Sequence, residues 1–212
     1  MMKKSKMRAS ILVMMLVVVT MFSGCGSKKS NKKEYVKGTI DGNTYESEFL
    51  NLKFTAPEGY TMLTQDVMDQ YAQFSSEIIY KDKDQTQIDY AKAVTVYEMM
   101  VQESTSGAPN VNIVLENLLG KEVSITDYVE VSKQQLQASG IEYTFGETTE
   151  DVELAGEKYT VLDCVGTYSG QELQQQLYIR KVGGRMMLLT VTYTEDTAEA
   201  KDALLASFTE YK

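Results

Sequence analysis

The chain of 212 residues contains no histidine, and this absence removes whole classes of chemistry. Ser-His-Asp and Cys-His catalysis, zinc sites with histidine ligands and acid–base chemistry by imidazole all require that side chain. Only two cysteines are present, Cys25 and Cys164, which are too few for a cysteine-rich metal site. We therefore expect no catalytic residues, no metal ligands and no dissociable cofactor, and the chain is not predicted to be an enzyme.

The chain also lacks an N-terminal apolar run long enough to be a permanent membrane span. Ile11–Phe22 has 12 residues, and a helix of that length reaches ~18 Å, short of the ~30 Å hydrocarbon core of a bilayer. Four basic residues and no acidic residue precede the run, and the small residues Ser23 and Gly24 follow it. A basic segment before a short apolar one predicts a secretory signal peptide over residues 1–24.

The run Ser23-Gly24-Cys25 resembles the lipobox of bacterial lipoproteins, although Phe22 stands where that family usually has leucine. The resemblance implies cleavage between Gly24 and Cys25, a diacylglyceryl lipid on the Cys25 thiol, palmitate as acyl chain, and attachment to the extracytoplasmic face of the cell membrane. Two acyl chains give stable anchoring, whereas one holds a protein only marginally. A Gram-positive surface is the expected location, and a periplasmic face is the alternative. The other interpretation is an ordinary signal peptide with an incidental cysteine.

Charge divides the rest of the chain into two parts. Residues 25–37 carry five lysines against one glutamate without apolar periodicity, which predicts a lipidated, flexible tether. Residues 38–212 carry 12 basic and 29 acidic residues, a net charge of −17, which would repel the phosphate backbone of nucleic acid. Their length suits a single domain, and no disulfide is available within it.

Hydrophobic periodicity predicts an α/β (α+β) domain, with a largely antiparallel sheet covered by helices. Helices are predicted from Thr64, from Ser124 to Gly140, and from Asp196 with Phe208 on its buried stripe. Strands are predicted at 35–40, 52–55, 60–63, 93–101, 111–115, 149–154, 158–168, 172–181 and 185–194. Short connections that contain glycine join the last four strands as hairpins.

The opening of this domain carries a recognisable pattern. Gly42-Asn43-Thr44-Tyr45-Glu46 leads to Leu52-Lys53-Phe54-Thr55-Ala56-Pro57-Glu58-Gly59-Tyr60, which resembles the start of PsbP-like domains. Members of that family continue with a helix and end with an antiparallel meander and a C-terminal helix. The resemblance implies a single α/β/α sandwich of PsbP-like type over 38–212. It also implies a binding or assembly factor without catalytic residues.

Other residues are weaker candidates for metal binding or catalysis. The run Asp82–Thr86 alternates like a calcium loop but lacks the required glycine and bidentate acid, so we interpret it as a solvated loop. Cys164 alternates with Leu162 along a strand and is predicted to be buried and inert. Carboxylates such as Glu147 and Glu150 leave a carboxylate-based hydrolase open as a minority hypothesis.

Fourteen tyrosines and no tryptophan are the remaining compositional signal. Tyrosine tolerates half-burial and suits protein interfaces, so Tyr35, Tyr45 and Tyr60 form the candidate interaction surface. The leading hypothesis is a membrane-anchored extracytoplasmic lipoprotein that acts as a non-enzymatic binding or accessory module for a cell-surface protein complex. The alternatives are a lipoprotein that binds a small ligand or metal ion, and a carboxylate-based cell-wall hydrolase.

Overall fold

The computed structural model describes residues 33–79, 85–168 and 170–212. The predicted signal peptide over 1–24, its cleavage site after Gly24 and the lipidation site Cys25 lie outside the described residues. Most of the calcium-like run lies outside them as well. The part of the chain that the structure describes forms an α+β fold, as the periodicity predicts.

The described residues contain eleven strands and four α-helices. The strands are β1 (Thr39–Asp41), β2 (Thr44–Ser47), β3 (Leu52–Thr55), β4 (Tyr60–Met62), β5 (Thr95–Glu103), β6 (Asn110–Asn117), β7 (Glu142–Leu154), β8 (Glu157–Tyr168), β9 (Gln171–Val182), β10 (Arg185–Tyr193) and β11 (Phe208–Glu210). The helices are α1 (Gln65–Ile79), α2 (Gln85–Val94), α3 (Ile125–Ala138) and α4 (Ala198–Leu205). A seven-stranded antiparallel sheet has the order β4-β5-β6-β10-β9-β8-β7, and a four-stranded one has the order β1-β2-β3-β11.

The large sheet is the middle of three layers, and its residues alternate between two cores. On one face, Val111, Ile113 and Leu115 of β6 pack with the small sheet and α4. On the other face, Leu162 and Leu188 pack under α3, while α1 and α2 cover the strands beside them. The predicted sheet covered by helices is therefore confirmed. The small sheet shares one outer layer with α4.

Helix α3 is the element that the sequence predicts best. The Ser124 side chain accepts a hydrogen bond of 2.9 Å from the Asp127 N–H, which is the expected N-cap contact. Tyr128, Val129, Ser132 and Leu136 are buried along one stripe. The helix ends before Gly140, which has a φ of 80°, the left-handed conformation that glycine adopts at low cost.

The largest errors in the predicted boundaries arise because contacts distant in sequence override local pattern. The strand predicted at 149–154 begins at Glu142, since Glu142–Phe145 also pair with β8. The strand predicted from residue 93 begins at Thr95, since α2 continues to Val94 and buries Ala91 and Val94 at helical spacing. The first strand begins at Thr39 and not at residue 35. Phe208 is not on the last helix. It lies in β11, which pairs with β3, and its ring centroid is 4.6 Å from that of Phe54.

Burial of tyrosine makes the fold sensitive to alkali. Burial is the largest cause of a pKa above the ordinary value near 10 at eight described tyrosines: Tyr35, Tyr45, Tyr60, Tyr97, Tyr143, Tyr159, Tyr178 and Tyr193. The folded-state pKa is therefore higher than the unfolded-state pKa. The stability that these phenols contribute is complete below about pH 10 and is lost as the pH rises above it.

We expect cooperative unfolding above about pH 10, with tyrosinate formation following the loss of structure. A single titration that records near-ultraviolet absorbance and circular dichroism measures both events, and the absence of tryptophan leaves tyrosine as the main chromophore. If most phenols ionised near their ordinary pKa while the circular dichroism stayed unchanged, this expectation would be wrong.

Candidate functional site

Residues 33–37, the end of the predicted tether, lie against the folded body together with Gly38, the first residue of the predicted domain. We call residues 33–38 the strap. The Lys33 ammonium donates a hydrogen bond of 2.6 Å to the carbonyl oxygen of Glu48. The Lys37 ammonium donates one of 2.7 Å to the side-chain oxygen of Gln65 at the start of α1. The end of the predicted tether is therefore part of the folded structure.

Glu98, a buried carboxylate on β5, holds the strap at its centre. Its side chain is 1 % exposed, and its two oxygens accept three hydrogen bonds. The Tyr35 hydroxyl donates to one oxygen at 2.5 Å. The Tyr45 hydroxyl and the Gly38 N–H donate to the other at 2.8 and 2.9 Å. A buried carboxylate is costly unless its oxygens are satisfied, so all four groups are mutually dependent.

Tyr35 is enclosed on several sides, and these contacts restrict lateral movement of the strap. Its ring meets the Phe49 ring edge to face, with centroids 5.2 Å apart. The Arg185 guanidinium carbon lies 4.0 Å from the Tyr35 ring centroid, a close cation–π contact. Burial, followed by the hydrogen bond to Glu98, raises the pKa of the Tyr35 phenol, so the hydroxyl remains protonated and continues to donate.

Tyr45 is fully buried, which corrects its assignment to an exposed interaction surface. The β2 alternation turns its side chain into the core, where the hydroxyl reaches Glu98. The Tyr45 ring lies directly against Gly38, and a Cβ at that position would overlap it. The strap therefore needs glycine at residue 38. Tyr35 is half-buried and donates to Glu98, whereas Tyr60 is half-buried on β4 and is not among the hydrogen-bond donors described for Glu98.

An open cleft of about 380 Å³ lies between the strap and the small sheet. Lys33, Glu34, Lys37, Glu46 and Phe49 are among the residues that line it. Its volume falls within the ~300–1,000 Å³ of small-molecule sites. Charges of both signs alternate along its walls, so its chemistry favours no single class of ligand.

The structure also places the other candidate reactive residues, a cysteine and two glutamates. Cys164 is buried and free, as predicted. Burial raises the pKa of its thiol to about 12, so the thiol is protonated at neutral pH and a poor nucleophile. Glu147 and Glu150 are exposed on β7. Among the described residues, no group of three or more acidic or cysteine side chains could hold a metal ion. No described helix is long and apolar enough to cross a membrane.

Glu98 and Arg185 are the site residues that the sequence interpretation missed. Glu98 is a charged residue inside the strand Thr95–Glu103, whose neighbours Met99 and Met100 are fully buried. A lone acid in such a run signals a buried, satisfied carboxylate. Its donors come from residues 53, 60 and 63 positions away in the sequence, so the pattern could not have identified them.

Comparison with known proteins finds distant structural neighbours and no relative by sequence. No family model matches the chain, and no curated protein matches it. The solved structures that it resembles include a PsbP of Synechocystis (CyanoP), with 11% identity, 89% of this chain and 98% of that chain covered, and a TM-score of 0.49. They also include LpqN of Mycobacterium tuberculosis, a protein involved in cell envelope biogenesis, with 8% identity, 76% and 83% coverage and a TM-score of 0.42. A Pseudomonas aeruginosa protein of unknown function, PA94, matches with 15% identity, 48% and 74% coverage and a TM-score of 0.37.

We expect Tyr35→Phe to loosen the strap without unfolding the sheets, because it removes one hydrogen bond to Glu98 and keeps the ring. A hydrogen bond to a charged group is worth about 1.5–3 kcal/mol, so the detached strap should be populated at least about tenfold more. Trypsin cleavage after Lys33 and Lys37, measured under native conditions by mass spectrometry, should accelerate by the same factor.

Tyr60→Phe is the matched control, because Tyr60 is a half-buried tyrosine outside the strap. Glu98→Gln should loosen the strap further, since a carboxamide oxygen can replace only one of two accepting oxygens. Equal cleavage rates in wild type, Tyr35→Phe and Tyr60→Phe would show that the Tyr35 hydrogen bond does not hold the strap, and an unchanged rate in Glu98→Gln would show that Glu98 does not hold it.

Proposed function

We propose that this chain is a lipoprotein, anchored through a diacylglyceryl group on Cys25 to the extracytoplasmic face of the cell membrane. Its domain would serve as a non-enzymatic binding or accessory module for a cell-surface protein complex. The attachment of the strap to Glu98 is the observation that carries the proposal. The chain that leads from the anchor ends in a fixed joint, so the domain is displayed in a restricted orientation.

A restricted orientation favours a module that engages a neighbour in the same membrane. Each hydrogen bond of the strap removes rotational freedom that a freely tethered domain would otherwise lose on binding. A soluble substrate gains nothing from such an arrangement, whereas a membrane-fixed partner meets the same surface each time. This reasoning favours the accessory role over ligand scavenging.

The edge strand β7 indicates how a partner would be recognised. Its pairing with β8 is interrupted between Phe145 and Thr148 and again between Thr149 and Val152. Bulges and acidic side chains are devices that prevent another strand from adding to a sheet edge. Recognition there would use the exposed acids, including Glu150 and Glu153, and would require a basic partner surface.

A second candidate function is small-ligand binding in the cleft beside the strap. Its volume of about 380 Å³ is the observation that favours this alternative. A ligand there would touch Lys33 and Lys37, so binding would protect the strap from trypsin. Thermal-shift screening of wall fragments and metal ions against the full chain tests this candidate directly.

Replacement of the lipidated residue tests the anchor. We expect Cys25→Ala to abolish metabolic labelling with palmitate and to move the protein from the membrane fraction to the medium. Cys164→Ala is the matched control, because that cysteine is buried and should leave labelling unchanged. Palmitate labelling that persists in Cys25→Ala would contradict lipidation at this residue.

In-cell crosslinking of the full-length protein, followed by mass spectrometry, tests the accessory role. We expect a reproducible membrane or surface partner whose yield falls at least several-fold in Glu150→Lys/Glu153→Lys. Glu199→Lys, a charge reversal on α4, is the control and should retain the partner. Recovery of no partner from wild type, under conditions in which Cys25 is lipidated, would refute the accessory role while leaving the anchor intact.

A further inference from the structure

The loop after β6 holds an apolar side chain in solvent. Leu119 is 54% exposed, and its backbone has a φ of 50°, in the left-handed region. The loop is nevertheless ordered, because the Leu119 N–H donates to the Asn117 side-chain oxygen at 3.0 Å and the Lys121 N–H donates to the Leu118 carbonyl at 2.9 Å. A bulky residue held in this conformation is costly, and such positions point to function.

This loop lies at the same end of the large sheet as the beginning of the strap. The Leu118 N–H donates a hydrogen bond of 3.2 Å to Gly184 in the turn between β9 and β10. A Cβ on the neighbouring Gly183 would lie 3.1 Å from the carbonyl oxygen of Lys33. The loop, the turn and the first described residue of the strap therefore form one surface, which we call the tether end.

The number of residues between Cys25 and Lys33 limits the distance between the proposed lipid anchor and the tether end. Eight residues lead from Cys25 to Lys33, and a chain extends at most ~3.6 Å per residue, which gives a limit of about 29 Å. A domain of this size is roughly 40 Å across. With the strap attached, the domain cannot turn its opposite end squarely to the membrane.

The charge of the domain favours the same orientation. Lys33, Lys121, Lys181 and Arg185 lie at the tether end. Three exposed glutamates accompany them: Glu34, Glu48 and Glu122. The turn between β7 and β8 lies at the same end of the sheet and adds Glu153 and Glu157 together with Lys158. Five basic and five acidic side chains, exposed or half-buried, therefore leave this end close to neutral. The described loops and strand ends at the opposite end contain no lysine or arginine and carry six acids: Glu58, Glu103, Glu142, Glu172, Glu195 and Asp196. An anionic bilayer would repel that end and accept the tether end.

We propose that the tether end docks on the anionic phospholipid surface that holds the anchor, with Leu119 inserted at the headgroup level and Lys121 and Lys181 beside lipid phosphates. This inference rests on the proposed lipid anchor and adds a second, non-covalent membrane contact. An exposed leucine in a loop that carries Lys121, at the same end of the sheet as Lys181, has the composition of an interfacial insertion point. The acidic opposite end of the domain then faces away from the membrane.

Because the chain has no tryptophan, a single one introduced at the loop is a clean depth reporter. Full-length lipidated Leu119→Trp is reconstituted in vesicles of phosphatidylcholine with phosphatidylglycerol, and its emission is measured with and without brominated lipid. We expect a blue shift and quenching at least about twofold greater than for Thr105→Trp, an exposed control position at the opposite end. Lys121→Glu/Lys181→Glu in the Leu119→Trp background should remove the difference, and so should high salt.

The outcomes separate this inference from the proposed anchor. Flotation of the same vesicles reports whether the lipid holds the protein, independently of fluorescence. If the protein floats and Leu119→Trp is quenched no more than Thr105→Trp, membrane docking is refuted and the anchor stands. A blue shift of Leu119→Trp in the Cys25→Ala background, measured in buffer without lipid or detergent, would instead assign the loop to a protein contact and would also refute docking. Matched near-ultraviolet tyrosine spectra establish that each variant is folded.

Discussion

The hydrogen bonds to Glu98 are the constraint on which the arrangement of this protein depends. One buried carboxylate on the large sheet receives Tyr45 from the small sheet and Tyr35 and Gly38 from the strap. The large sheet, the small sheet and the strap are distant from one another in the sequence, and they are joined at this one side chain. Hydrogen bonds of this kind are worth more than neutral ones, and removal of one partner leaves the others buried and unsatisfied.

A second charged side chain connects the layers in the same way. Arg180 of β9 is 8 % exposed and crosses from the large sheet to the small one. Its guanidinium donates to the Leu50 carbonyl and, at 2.9 Å, to a Glu157 oxygen. It also lies 5.2 Å from the Tyr159 ring centroid. With no disulfide among the described residues, the apolar core supplies most of the stability, and these two polar residues fix how the layers are placed.

Local pattern predicted the parts of the fold that depend on neighbouring residues. The hairpins of β8, β9 and β10 and the capped helix α3 follow from alternation, glycine turns and the Ser124 cap. The small sheet was missed because β11 pairs with β3 across about 150 residues. The burial of Tyr45 does not follow from local pattern, because its acceptor, Glu98, lies 53 residues away. The lysine-rich composition of residues 25–37 predicts a flexible linker and gives no indication of the contacts that Tyr35 makes.

Attachment of the strap also shortens the chain that connects Cys25 to the folded body. If Cys25 carries the proposed lipid, the connection between that lipid and the folded body is the eight residues that lead to Lys33 while Glu98 holds the strap. Release of residues 33–38 would lengthen that connection by up to about 20 Å without breaking a strand pair of either sheet. Tension between the proposed anchor and the proposed partner would act on the Glu98 hydrogen bonds before it reached the sheets. Under tension the strap would thus detach from Glu98 while both sheets stay folded.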